Sequence, residues 1–67
     1  MARYTGRVVA VRSSSSFDLR VDNTTYNVYT LRPLRRALSR GDRVQVSGDR
    51  VGKNDIRNAT VQIVRNR

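Results

Sequence analysis

The 67-residue chain has no cysteine, no histidine and no glutamate. Without cysteine it can form neither a disulfide framework nor a thiolate metal site, and without histidine it lacks the usual zinc ligand and the usual general base. Its five acidic residues are aspartates scattered along the chain, whereas a carboxylate metal site needs several that converge. We therefore expect a protein that is not an enzyme, with no metal and no cofactor. A Ser–Lys pair between the serines at 13–16 and Lys53 is the one catalytic arrangement left open.

Long hydrophobic runs are also missing. The longest uninterrupted apolar run covers residues 8–11, whereas a membrane-spanning helix needs about 20 apolar residues. The first residues, MARY, contain no apolar stretch that resembles a secretion signal. We expect a soluble cytoplasmic protein without a membrane partner, and the lack of cysteine fits a reducing compartment.

Positive charge dominates what is present. Fourteen basic residues face five acidic ones, which gives a formal net charge of +9, and every basic residue except Lys53 is an arginine. Arginine pairs with phosphate through two parallel hydrogen bonds and stacks on planar rings. A small domain with this charge concentrates polyanions around itself. An arginine-rich genome or a thermophilic origin would give the same composition without such a partner, and the sequence favours the partner.

Alternating apolar and polar residues predict five strands in a single domain, residues 1–67, with its core over 4–64. The strands are predicted at 5–12, 17–21, 25–30, 43–48 and 56–64. The fourth strand extends to residue 51 if Gly48 forms a bulge. The serines at 13–16 are predicted as a flexible loop, and the residues at 22–24 and 52–55 as turns.

The hydrophobic period changes between the third and fourth strands. Apolar residues there repeat at helical spacing, at Leu31, Leu34, Ala37 and Leu38. Pro33 suits the first turn of a helix, and Gly41 suits its end. The sequence therefore predicts one short helix over 31–40, of about two turns.

The residues predicted to face inward could close a small five-stranded barrel, with the helix plugging one open end. Closure would remove the strand edges that an open sheet of this size exposes. Ile56 joins the inward set only if the last strand shifts its register. The inward set is Val8, Ala10, Phe17, Leu19, Val21, Tyr26, Val28, Leu31, Leu34, Leu38, Val44, Val46, Ala59, Val61 and Ile63.

Several motifs, taken in order, resemble the OB-fold over residues 4–64. The segment 41–48, GDRVQVSG, resembles the Gly-Asp-x-Val-x-Val-x-Gly fourth strand of many OB domains. Gly6-x-Val8 opens the first strand, residues 17–21 alternate as an OB second strand does, and residues 56–61 resemble the last strand. Length and charge are similar to those of bacterial translation initiation factor 1 and other S1-type RNA-binding domains. The outer face carries fewer aromatics than cold-shock domains do. An SH3-like barrel is the alternative fold, and it would place the site elsewhere.

The resemblance implies a binding site on the outer surface of strands two and three, flanked by the loops between strands one and two and strands four and five. The implied partner is RNA or single-stranded DNA, free or within a ribosome or another nucleoprotein. Arginine and lysine would neutralise phosphates, Tyr29 would stack on a base, and asparagine would donate to phosphate or sugar oxygens. The candidate residues are Arg7, Arg12, Arg20, Asn27, Tyr29, Arg50, Lys53 and Arg57.

Other interpretations of these residues stay open. A small barrel with few outward aromatics and a short helix is also typical of a protein-interaction or assembly module. Tyr29 could cover a barrel edge, and Tyr4 is interpreted as a frayed terminal residue in preference to a second stacking platform. The helix arginines, at 32, 35, 36 and 40, form either a solvated face or a contact with a second nucleic-acid segment.

Overall fold

The fold is an all-β closed barrel of five strands, as the alternating pattern predicts. The computed structural model describes residues 2–34 and 38–64. Its strands are β1 (Ala2–Ser13), β2 (Ser16–Val21), β3 (Thr24–Thr30), β4 (Arg43–Val51) and β5 (Asp55–Ile63). They follow the order β1-β2-β3-β5-β4 around the barrel, and every neighbouring pair is antiparallel except β3 and β5. Closure pairs the outermost strands, so that no long edge is left open.

The barrel interior is filled by apolar side chains from all five strands and by one residue of the connection between β3 and β4. The side chains of Phe17, Leu19 and Ile56 are completely buried. Five partly buried residues pack against this core: Tyr4, Val21, Tyr26, Leu34 and Val61. The buried set is Val8, Phe17, Leu19, Val28, Leu38, Val44, Val46, Ile56 and Ala59.

The prediction of a short helix over 31–40 is wrong. Residues 31–34 and 38–40 are not helical, and residues 35–37 lie outside the described residues. The backbone amide of Leu31 donates to the carbonyl of Ala59 in β5, and the amide of Leu34 donates to the carbonyl of Ser14. A helix of two turns is marginal in water, and here bonds to neighbouring elements hold the chain instead. Within residues 2–34 and 38–64, no helix has the length and the apolar character that a membrane crossing needs.

Three residues of the predicted inward set are exposed, each for its own reason. Between Val8 and Ala10 the pairing of β1 with β2 shifts, so Ala10 is exposed opposite Asp18 instead of inward. Leu31 is 63% exposed because the predicted helix does not form around it, and Ile63 is 43% exposed at the end of β5. All three were predicted to face inward, and that prediction is wrong.

Ile56 is buried because β5 changes register, which is the condition that the sequence analysis sets for it to face inward. Val28 of β3 is opposite Ile56 and Thr30 is opposite Ala59, so two steps along β3 match three along β5. Asn58 absorbs the extra residue with a φ of 54°, in the left-handed region that asparagine tolerates better than most residues. Both Ile56 and Ala59 therefore face the core.

β1 begins three residues earlier than the sequence predicts, and β4 ends at the later of its two predicted positions. β1 begins at Ala2 because residues 2–7 pair with β4. Tyr4 is consequently not frayed: its ring centre lies 5.0 Å from that of Tyr26, and it packs against the core. The interpretation of Tyr4 as a loose terminal residue is wrong. The register shift between Ser47 and Asp49 confirms that β4 continues to Val51 past a bulge at Gly48.

Candidate nucleic-acid interface

Tyr29 lies on the outer surface of β3 between two arginines. The guanidinium carbon of Arg12 lies 5.9 Å from the centre of the Tyr29 ring, and that of Arg57 lies 5.1 Å from it. Both distances fall within the roughly 6 Å over which a cation is attracted to the face of an aromatic ring. We call Arg12, Tyr29 and Arg57 the Tyr29 cluster. The structure thus brings together three of the site residues that were predicted from the sequence, each on a different strand.

Arg12 is the most tightly held member of the Tyr29 cluster. Its Nη1 forms an ion pair with the carboxylate of Asp18, and its Nε donates to the hydroxyl of Ser16 at 3.0 Å. This is the one ion pair within residues 2–34 and 38–64. Asp18 therefore orients Arg12 and also offsets part of its charge. Arg57, the other arginine of the cluster, is exposed.

Asn27 lies in a polar row that runs across the barrel beside the Tyr29 cluster. It is opposite Asp18 on β2 and opposite Asp55 on β5. Its side-chain Nδ2 donates to the Asp55 carboxylate at 3.0 Å. One amide donor of Asn27 is thus used to join β3 to β5, and the two carboxylates bring negative charge to this row.

Arg7 and Arg20 lie in a second basic group, on the far side of that polar row. Arg7 of β1 is directly opposite Arg20 of β2 and also directly opposite Arg43 of β4. We call Arg7, Arg20 and Arg43 the arginine row. Arg43 is not among the site residues predicted from the sequence, because its place beside Arg7 depends on the pairing of β1 with β4. The alternation of residues 43–46 could have placed Arg43 on the outer face, but not next to Arg7.

Arg50, near the end of β4, and Lys53, in the turn between β4 and β5, are not part of either basic group. Arg50 donates from Nε and Nη2 to the backbone carbonyl of Lys53, at 3.1 and 2.8 Å. Its guanidinium lies 5.8 Å from the ring centre of Tyr26, which packs against the core. These contacts tie Arg50 to the turn that follows β4 and to Tyr26 of β3. The side chain of Lys53 is exposed.

The serine segment is not the flexible loop that its composition predicts. Ser13 ends β1 and Ser16 begins β2, so only Ser14 and Ser15 form the turn. The carbonyl of Ser15 accepts a bond from the amide of Thr30 at 2.9 Å, and that of Ser14 accepts one from Leu34 at 2.7 Å. Anchored in this way, the turn holds Arg12 and Ser16 beside Tyr29.

Comparisons with known proteins assign no family to this chain, so a proposal about its function rests on the geometry of the barrel. No family model, no curated protein and no solved structure matches the chain. The closed five-stranded barrel is compatible with the OB-like fold that the motifs resemble. Within the described part of the chain, no three aspartates lie close enough together to hold a metal ion.

Proposed function

We propose that this protein is a non-enzymatic module that binds single-stranded RNA or DNA, mainly through the phosphates and with little sequence preference. The observation that carries the proposal is the Tyr29 cluster, in which one aromatic ring and two guanidinium groups share the outer surface of the barrel. OB domains bind oligonucleotides on the outer surface of strands two and three, and Tyr29 of β3 lies on that surface with Arg12 of β1 and Arg57 of β5 beside it. The Tyr29 cluster is also the part of the predicted site that depends least on loops.

The chemistry of the Tyr29 cluster suits a flexible strand with exposed bases. A guanidinium group presents parallel donors that match the oxygens of a phosphate, and its flat surface stacks on a base. Tyr29 is half-buried between Arg12 and Arg57, so it holds their guanidinium groups in place more than it offers an open platform. Stacking on planar groups accepts every base, which is why we propose little sequence preference.

The charge balance of the outer surface supports the same proposal. Ten of the fourteen basic residues and all five aspartates lie within residues 2–34 and 38–64. Only Arg12 and Asp18 form an ion pair there. Most of the described guanidinium groups are therefore not neutralised by carboxylates of the described residues, and their summed field attracts polyanions.

The salt dependence of binding tests the proposal. If about five phosphates are neutralised, the slope of log K against log salt is expected to be near −3.5, from ~0.7 per contact on a single strand. Between about 50 and 200 mM salt, this slope corresponds to a loss of affinity of about 100-fold. Fluorescence anisotropy with labelled oligothymidylate and oligouridylate measures it.

The controls are a mixed-sequence strand and its duplex. We expect the mixed strand to bind within about threefold of oligothymidylate, because stacking and phosphate contacts carry little base information. Binding that is micromolar or weaker at low salt and shows no dependence on salt would contradict the proposal. Tighter binding to the duplex would replace the single-stranded partner with a double-stranded one.

A protein-interaction module is the second candidate function, and an apolar groove favours it. The groove, of about 600 Å³, lies between β5 and the connection that follows β3. Leu31 and Ile63 line it, and both are exposed. A partner bound there would dissociate little at high salt, because apolar burial is not screened by ions. Binding that persists after nuclease treatment and at high salt would support this candidate.

A further inference from the structure

The arginine row has an arrangement that a sheet does not adopt for its own stability. Arg7 is directly opposite Arg20 on one side and Arg43 on the other. Side chains directly opposite each other in an antiparallel sheet have Cβ atoms about 5 Å apart, and like charges at such positions are destabilising. Three arginines therefore lie in one row across β2, β1 and β4, where a bound anion would relieve their repulsion.

A groove runs over the arginine row. It has a volume of about 480 Å³ and is lined by the three arginines together with Thr5, Gly6, Val9 and Asp22. Gly6 lines the groove with its backbone, where β1 and β2 approach so closely that a Cβ would overlap the carbonyl oxygen of Arg20.

One hydrogen bond and one carboxylate at the β2 side of the groove bear on what it could hold. The Nε of Arg20 donates to the backbone carbonyl of Asp22 at 3.3 Å, which directs Arg20 toward the turn between β2 and β3. Asp22 itself lines the groove. Its carboxylate disfavours an anion on that side, so the favoured position for an anion lies between Arg7 and Arg43.

We propose that this groove is a phosphate-binding site, separate from the Tyr29 cluster, and that it takes a phosphodiester of a bound nucleic-acid strand. The inference rests on the proposed function and adds β4 to the interface. Guanidinium forks from neighbouring strands suit the oxygens of one phosphate. The strand would then run from Tyr29 across β2 and β1 to Arg43.

The first test compares two arginines on the paired strands β1 and β4. Replacing Arg43→Gln is expected to weaken binding of an oligothymidylate of about ten nucleotides by about eightfold at ~50 mM salt and to make the salt slope shallower by ~0.7. The matched control is Arg3→Gln, because Arg3 is exposed on β1 opposite Ser47 and does not line the groove. We expect less than a twofold loss from it. Equal losses from the two variants would overturn the proposed path of the strand.

The second test is a gain of affinity. Asp22 has a φ of 55°, and asparagine tolerates the left-handed region at least as well as aspartate does. Asp22→Asn thus keeps the turn and removes the carboxylate from the groove. We expect the oligothymidylate to bind about two- to fivefold more tightly, as loss of a like charge near the surface implies. Unchanged or weaker binding would overturn the place of Asp22 in the site.

Pyrophosphate separates a failure of the groove from a failure of the proposed function. In a backbone-amide NMR titration, we expect pyrophosphate to shift Gly6, Arg7 and Arg43 in the wild type and not in Arg43→Gln. If these amides shift while no oligonucleotide binds, the groove is a site for a small phosphorylated compound and the proposed function is wrong. If an oligonucleotide binds while pyrophosphate shifts none of them, the groove inference is wrong and the proposed function stands.

Discussion

Replacing Gly6 by alanine is expected to lower the free energy of unfolding by about 3 kcal/mol, the upper part of the range for overpacking a well-packed site. A Cβ at this position would overlap the carbonyl oxygen of Arg20 and would lie 3.0 Å from both the carbonyl carbon of Arg20 and Cγ2 of Val21. Two of these three atoms are backbone, which moves only if β1 and β2 separate. A domain of this length has a total stability of about 3–10 kcal/mol, so this loss is a large part of it.

Thermal unfolding followed by circular dichroism measures the effect of Gly6→Ala. For a domain of this size, a loss of 3 kcal/mol corresponds to a fall in Tm of about 12–24 °C. The control is Gly52→Ala, since Gly52 has a φ of 67° but open space around it. It is expected to cost only about 1 kcal/mol, for the left-handed backbone alone. Equal losses in the two variants would show that β1 and β2 leave room for a Cβ at position 6, which would contradict their close approach.

Replacing both Arg20 and Arg57 by glutamine is expected to weaken oligothymidylate binding about 60-fold at ~50 mM salt. Each phosphate contact on a single strand adds ~0.7 to the salt slope, which at that salt is worth about eightfold. Under the proposed function the two arginines would contact different phosphates, so the two losses multiply. Arg57 belongs to the Tyr29 cluster and Arg20 to the arginine row. Anisotropy titrations at several salt concentrations measure both the affinity and the slope.

The matched control for this pair is the double variant Arg32→Gln and Arg40→Gln. Both arginines are exposed, and both lie in the connection between β3 and β4. The control removes the same charge from the molecule, so any loss caused by net charge alone appears in both variants. We expect it to weaken binding less than fivefold. If the control pair costs more than Arg20 and Arg57 together, the binding surface lies on the connection.

Much of the barrel could be predicted because each strand buries one face and exposes the other. Strict alternation in residues 17–21 places Phe17 and Leu19 inside, and both are fully buried. The helix could not be excluded from the sequence, because leucines at helical spacing do not reveal the bonds that Leu31 and Leu34 make to other elements. The exposure of Ala10 could not be predicted either, because a β-bulge has no consistent sequence signature.

The candidate interface was predictable where a single strand decides the direction of a side chain. Tyr29 follows from the alternation of β3, and Arg57 from its place after the turn between β4 and β5. Arg50 shows the limit of this reasoning, because its contacts with Tyr26 and the Lys53 carbonyl depend on the turn after β4 and on the position of β3. Arg43 shows it too, since a residue gains its cross-strand neighbours only when the order of the strands is known.

The proposed function places a single-stranded nucleic acid on the outer surface of the barrel, from the Tyr29 cluster to the arginine row. A backbone-amide NMR titration with a short oligothymidylate tests it most directly, because it reports binding and location together. We expect the largest shifts on the outer surfaces of β1, β2 and β3, at residues such as Arg7, Arg20 and Tyr29, with little change at Leu31 and Ile63. Shifts spread evenly around the barrel, or concentrated at the apolar groove, would contradict the claim.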